Sequence, residues 1–171
     1  MKKRSAFICL TTLFAGLALQ AGSLGASASV FDTNRVRGTI NASTTSRGGK
    51  TYTVVGGGVG YFPWAGLEIG VDGEMWLDAD PAVYKVSPGV RYVLQGLGAI
   101  YPYAGGFYRR TFYEGLDDLD SYGARYGVYM PIGPNTYAGV GGVYEKRLDC
   151  DKTIYDDCAS SYPEVSVSVS F

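Results

Sequence analysis

The sequence contains no histidine and only three cysteines. Histidine is the most common general base and zinc ligand near neutral pH, so its absence excludes a serine or cysteine nucleophile with a histidine base. One of the three, Cys9, lies near the first residues, and the other two thiols without an imidazole provide too few soft ligands for a tetrahedral zinc site. No local motif places a lysine to activate a serine. We therefore expect no enzymatic activity, no cofactor and no metal site.

A long apolar run is also missing, except near the first residues. Residues 2–4 are basic, an apolar run extends from Ala6 to Leu19, and residues 26–28 form a small-x-small cleavage pattern. The run is shorter than the roughly 20 residues of a spanning helix, which argues against an N-terminal anchor. Cys9 lies inside the run and is not placed for lipidation. We interpret residues 1–28 as a signal peptide and residues 29–171 as the mature domain.

The mature chain is mildly acidic. Loss of three leader cations from 15 leaves 12 basic residues against 16 acidic ones, a net charge of −4. This charge is unsuited to binding nucleic acid. Export to an oxidising compartment favours a disulfide between the two remaining cysteines, Cys150 and Cys158.

Apolar residues recur with period two after residue 28, which is the pattern of β-strands. From Leu67 to Trp76, apolar residues and Gly73 alternate with a face that carries Glu68, Asp72 and Glu74. A soluble barrel would turn the apolar face inward, whereas a membrane barrel turns it towards lipid. Alternation alone leaves both arrangements open.

The last strand has a recognisable pattern. Val165, Val167, Val169 and Phe171 alternate with serines up to the final aromatic residue. This resembles the terminal signature of bacterial outer-membrane barrels, which the outer-membrane assembly machinery reads. The resemblance implies that these four residues are an assembly signal and that the protein is located in the bacterial outer membrane.

Glycine- and aromatic-rich segments at 56–62, 102–107 and 137–144 resemble the small OmpA/OmpX-like barrels. The resemblance implies an all-β fold, an eight-stranded antiparallel up-and-down transmembrane β-barrel. Small barrels that are enzymes, the lipid A acyl-modifying barrels and outer-membrane proteases, depend on histidine, which this chain lacks. The predicted strands are Arg35–Ser43, Thr51–Phe62, Leu67–Leu77, Tyr84–Gln95, Ile100–Phe112, Ser121–Met130, Thr136–Leu148 and Tyr162–Phe171.

The predicted connections alternate in character. Residues 63–66, 96–99 and 131–135 are short and rich in proline or glycine, and we assign them to the periplasmic side. Residues 44–50, 78–83, 113–120 and 149–161 are more polar, as extracellular loops usually are. Their aspartates are either solvated or bridged by hard cations to each other or to lipopolysaccharide.

The inward faces should carry charges of both signs, which must be paired inside a narrow barrel. For strands two and five the facing stays undecided, so Arg109 and Arg110 cannot both be assigned. Inward glycines at 70, 89, 123 and 127 leave space. A narrow pore therefore remains an alternative prediction to a filled interior. The predicted lumen charge network is Arg35, Arg37, Glu68, Asp72, Glu74, Lys85, Arg91, Arg125, Glu145 and Arg147.

The favoured function is structural: a monomeric barrel that supports membrane integrity and presents surface loops. The expected partners are outer-membrane lipids, lipopolysaccharide and the assembly machinery. The alternatives are a narrow pore, a transporter of small hydrophobic molecules, or an adhesin that acts through its extracellular loops. A soluble lipocalin-like barrel would leave Phe171 and the aromatics at the strand ends unexplained.

Overall fold

The computed structural model describes residues 29–47, 50–77, 79, 82–115, 117–148, 150 and 158–171. These residues form a closed barrel in which each strand pairs antiparallel with its sequence neighbours and the first strand pairs with the last. The predicted antiparallel up-and-down topology is confirmed. The predicted signal peptide, residues 1–28, lies outside the described residues. The strands are β1 (Val36–Arg47), β2 (Lys50–Trp64), β3 (Leu67–Trp76), β4 (Val83–Val93), β5 (Tyr101–Tyr113), β6 (Leu119–Pro131), β7 (Thr136–Arg147) and β8 (Ala159–Ser170).

The connections at the two ends of the barrel differ less in length than predicted. β1 continues to Arg47 instead of ending at Ser43, so the first loop is reduced to residues 48–49. The added residues are mainly threonine and serine, and threonine favours the extended conformation. Conversely, residues 94–100 join β4 to β5, a longer connection than the predicted turn. We call the end with residues 65–66, 94–100 and 132–135 the turn end, and the opposite end the loop end.

The barrel is apolar outside and polar inside. Ile40 is 73% exposed and Val59 is 58% exposed, whereas Arg37 and Arg109 are 2% and 0% exposed. The open question of facing is therefore answered: valines, isoleucines and tyrosines cover the outer surface, and ionised groups line the lumen. Among the described residues, no helix has the length and apolar character needed to cross a membrane.

Two prolines interrupt the hydrogen-bonded ladders. β1 and β8 pair from Arg37↔Ser170 to Ser43↔Glu164, and the next pair would place Thr44 opposite Pro163. Proline has no N–H to donate, so the ladder stops there. Pro88 lies at a similar break, where β4 and β5 are paired up to Val86↔Arg110 and again from Gly89↔Phe107.

An aromatic cluster closes the turn end. Residues 29–34, which we call the turn-end plug, place the fully buried Phe31 ring 4.8 Å from Tyr137, 5.6 Å from Tyr129 and 6.0 Å from Phe62. The plug is anchored by its backbone, because the amide of Gly66 donates to the Phe31 carbonyl at 2.8 Å. Phe62 and Tyr129 are therefore interior residues.

Candidate functional site in the barrel interior

The interior holds equal numbers of opposite charges. The ten residues come from seven of the eight strands, and all except Arg91 are buried. Five carboxylates and five cations make the group neutral. We call this group the lumen network: Arg37, Glu68, Asp72, Glu74, Lys85, Arg91, Arg109, Arg125, Glu145 and Glu164.

The half of the network near the turn end is organised around two carboxylates of β3. The guanidinium of Arg37 lies 2.7 Å from Glu68 and 3.4 Å from Asp72. Arg91 lies 3.8 Å from Glu68 and 3.7 Å from Asp72, and it donates to the hydroxyl of Tyr129. Both carboxylates are thus shared between Arg37 and Arg91, and Arg91 connects them to the aromatic cluster.

The other half is organised around Arg109. Its guanidinium donates to Glu74 and to Glu145, each at 2.6 Å, and its Nε donates to Ser87 at 2.7 Å. It also donates to the hydroxyl of Tyr162. Arg109 is fully buried, and this set of acceptors satisfies a charge that could not stay unpaired away from water.

Arg125 joins the two halves. It donates to Asp72 on one side and to Glu74 at 2.7 Å on the other, and its Nε lies 3.6 Å from Glu164. The lumen network is therefore continuous along the barrel. Because desolvation offsets much of the attraction, such a network contributes little net stability, yet removing one partner leaves a buried charge without compensation.

β2 has no buried charge of its own, and its glycines make room for the others. A Cβ added at Gly58 would lie 1.9 Å from Oδ1 of Asp72, and one at Gly60 would lie 2.3 Å from Oε1 of Glu68. At Gly56 it would lie 2.4 Å from Oδ1 of Asn41. The three glycines are inward positions over which neighbouring side chains extend.

The same holds for two of the four glycines that were expected to leave empty space, whereas the other two, Gly70 and Gly89, line a small cavity. A Cβ at Gly123 would lie 2.6 Å from the Phe107 ring, and one at Gly127 would lie 2.9 Å from the Tyr103 hydroxyl. Large neighbouring side chains fill these positions. One cavity of about 60 Å³ lies at the loop end, and one of about 20 Å³ lies beside Gly105 and Arg125.

The structure brings together eight of the ten predicted network residues. Arg35 is half-buried before the start of β1 and makes no ion pair with another described residue. Arg147 is half-buried at the end of β7 and lines the larger cavity. The residues brought together are Arg37, Glu68, Asp72, Glu74, Lys85, Arg91, Arg125 and Glu145.

Sequence reasoning missed two members of the network. Glu164 is in phase with Ser166, Ser168 and Ser170, opposite the exposed valines of β8, so the alternation could have identified it as inward. Arg109 has no such signal, because glycines and aromatics occupy both faces of β5. Arg110, its neighbour, is exposed and pairs with Asp118 at 2.9 Å.

At the loop end, Cys150 and Cys158 form the predicted disulfide. Cys158 also lines the larger cavity. Within the described ranges, no three His, Cys, Asp or Glu side chains are grouped to hold a metal ion. The predicted loop residues 151–157, with Asp151, Asp156 and Asp157, lie outside the described residues.

Comparison with known proteins identifies the architecture. No protein-family model matches the chain, and no curated protein is detectably similar in sequence. The N-terminal β-barrel domain of OprF from Pseudomonas aeruginosa is similar in structure, with a TM-score of 0.65 and 15% identity over 81% of this chain and 98% of that one. Neisserial surface protein A has a TM-score of 0.58 and 17% identity over 80% of this chain and 96% of its own. These neighbours are eight-stranded outer-membrane barrels, which confirms the predicted resemblance at the level of the fold.

Proposed function

We propose that the protein is an integral barrel of the bacterial outer membrane with a closed lumen, and that its role is structural and surface-exposed. The observation that carries the proposal is the inverted distribution of side chains. Apolar residues cover the outside, and a neutral set of paired charges fills the inside. Such a surface requires an apolar surrounding, because in water the outer face would promote aggregation.

The strand dimensions support membrane insertion. The shortest strand, β3, has 10 residues and the longest, β2, has 15. A tilted transmembrane strand needs about 9–11 residues. Exposed aromatic residues near both ends of the strands, including Tyr61 and Trp64 at the turn end and Phe112 and Tyr122 towards the loop end, are suited to the two membrane interfaces.

The interior supports a barrel that does not conduct. Ion pairs cross the lumen at successive heights, and the turn-end plug covers one opening. The larger cavity, of about 60 Å³, is well below the roughly 300–1,000 Å³ of typical small-molecule sites. These features favour a scaffold over the alternatives of a pore or a transporter of hydrophobic molecules.

The proposal includes a route to the membrane. Residues 1–28 act as a signal peptide, and Val165, Val167, Val169 and Phe171 are read by the outer-membrane assembly machinery. All four side chains are exposed on one face of the final strand. The barrel functions as a monomer, contacts membrane lipid and lipopolysaccharide, and presents its aspartate-rich loops outside the cell.

Electrophoretic heat modifiability tests the membrane barrel. Residues 29–171 are folded into detergent micelles or lipid vesicles and compared with and without boiling. A mobility shift upon boiling is the expected result. A chain that folds and stays soluble without detergent would overturn the proposal.

Planar-bilayer recording tests the closed lumen separately. The refolded barrel should give no steady conductance, because ion pairs cross the lumen and the turn-end plug covers one opening. Steady single-channel currents from a heat-modifiable preparation would contradict the closed lumen while leaving the membrane barrel intact.

A further inference from the structure

The cavity of about 60 Å³ at the loop end has a distinctive lining. We call it the mouth cavity. It lies at the loop end of the barrel, and every strand except β2 contributes to its lining. Its lining includes Trp76, Lys85, Thr111, Glu145, Arg147 and Tyr162.

The ammonium group of Lys85 lacks a close acceptor. Its side chain is only 8% exposed, and its one described ion pair is to Glu145 at 3.7 Å, which is longer than a hydrogen bond. Glu145 is already occupied, because it accepts from Arg109 at 2.6 Å and from Ser121 at 2.7 Å. The ammonium also lies over the rings of Trp76, at 5.2 Å, and Tyr162, at 6.0 Å, which are cation–π contacts and not hydrogen bonds. Buried ammonium groups normally donate several hydrogen bonds, so Lys85 can donate to a further acceptor.

A second donor is present at the same place. Nε1 of Trp76 is buried and has no hydrogen-bond partner among the described residues. Nζ of Lys85 lies 5.2 Å from the centre of the Trp76 ring. Buried donors without acceptors are rare in native structures and call for an explanation such as a missing bound group.

The mouth cavity has a natural entrance. The ladder between β1 and β8 ends at Ser43↔Glu164, because the next position is Pro163. Beyond this point the two strands are unpaired, and Thr45, Ala159 and Ser160 from the two sides line the cavity. Glu145, which also lines the cavity, is paired with the buried Arg109 at 2.6 Å.

We propose that the mouth cavity binds a small oxyanion, a carboxylate or a phosphate group, through Lys85 and the indole N–H of Trp76. The local charge favours an anion, because Arg109 already compensates the single lining carboxylate. The cavity volume suits one such group and a few waters. The ligand is therefore a small anion or the anionic end of a larger molecule. This site is a closed recess and is independent of whether the lumen conducts.

Tryptophan fluorescence can test the site directly. The chain has two tryptophans, so Trp64→Phe leaves Trp76 as the only one. This variant is folded in detergent micelles and titrated with sodium phosphate and, separately, with sodium acetate at constant ionic strength. A saturable change in Trp76 emission is expected with at least one of them. Saturation with phosphate alone assigns a phosphate-bearing ligand, and saturation with acetate alone assigns a carboxylate.

Matched variants complete the test. Lys85→Met retains most of the side-chain volume without the charge and should weaken binding at least tenfold, whereas Arg110→Gln, on the outer surface, should leave it unchanged. If Lys85→Met does not fold, Trp76→Phe removes the indole donor and should weaken binding several-fold in calorimetric titration. The proposal is wrong if neither salt produces saturation, or if the variants of Lys85 and Trp76 bind as tightly as the parent.

Discussion

Replacing Gly58 with alanine should strongly destabilise the barrel, because the new methyl group would occupy the place of a buried carboxylate. The added Cβ would lie 1.9 Å from Oδ1 and 2.9 Å from Cγ of Asp72, and 2.9 Å from the Val71 carbonyl. The Asp72 carboxylate must shift by about 1 Å or more, which disturbs its ion pairs with Arg37 and Arg125. Overpacking costs about 1–3 kcal/mol, and disrupting a buried ion pair costs about 3–5 kcal/mol. We therefore expect a loss of about 3 kcal/mol.

Gly73 provides a matched control, since it pairs with Gly57, next to Gly58, and its added Cβ would meet nothing closer than 3.9 Å. Gly73→Ala should be neutral or stabilise the barrel by about 0.4–1 kcal/mol through the unfolded chain. The free energies are measured by urea unfolding in lipid vesicles, with the heat-modifiable band as the probe of folded protein. Equal stability of the two alanine variants would refute the reasoning.

A double-mutant cycle identifies the clashing atom. In an Asp72→Ala background the carboxylate is gone, so the Gly58→Ala penalty should fall substantially, although the clash with the Val71 carbonyl remains. Coupling between neighbouring sites is commonly about 0.5–3 kcal/mol. An unchanged penalty would mean that Asp72 is not what occupies the space over Gly58.

Three further predictions use the same unfolding assay. Arg109→Met should cost about 3–5 kcal/mol because it leaves Glu74 and Glu145 with fewer buried partners, whereas Arg110→Met, in an exposed pair, should cost less than about 1 kcal/mol; equal losses would contradict the assigned facing. Phe31→Ala should cost about 3–5 kcal/mol by emptying the aromatic cluster, and a negligible loss would mean that the plug is not packed in the turn end. Reducing the Cys150–Cys158 disulfide should cost about 2–4 kcal/mol without abolishing the heat-modifiable form, and unfolding upon reduction would show that the loop end organises the barrel.

Strand positions were predictable wherever one face differed clearly from the other. In β3 the acids Glu68, Asp72 and Glu74 alternate with apolar residues, and both the strand and its three inward acids were identified. Which face points inward depends on the surrounding medium, and alternation does not contain that information. The final strand and the glycine-rich segments resolved this ambiguity only through their resemblance to known barrels.

The rest of the interior depends on contacts that are distant in sequence. Arg109 and Arg110 are adjacent and chemically identical, and only the pairing of β5 with β4 and β6 decides that Arg109 faces Glu74 and Glu145. Phe31 precedes the first strand, where no periodic pattern exists to predict its burial. The end of the β1–β8 ladder could be predicted only by someone who already knew the register, which places Thr44 opposite Pro163.

The lumen network has a mechanical consequence that the backbone ladders do not provide. Backbone hydrogen bonds join only neighbouring strands, but Arg125 of β6 reaches Asp72 of β3, and Arg109 of β5 reaches Glu74 of β3. These ion pairs extend across the lumen, and they are possible because β2 presents glycines beside β3. A barrel tied across its interior resists flattening and cannot widen without separating buried charges. Separating those charges is unfavourable. The ion pairs that fix the distance between opposite strands therefore also keep the lumen closed.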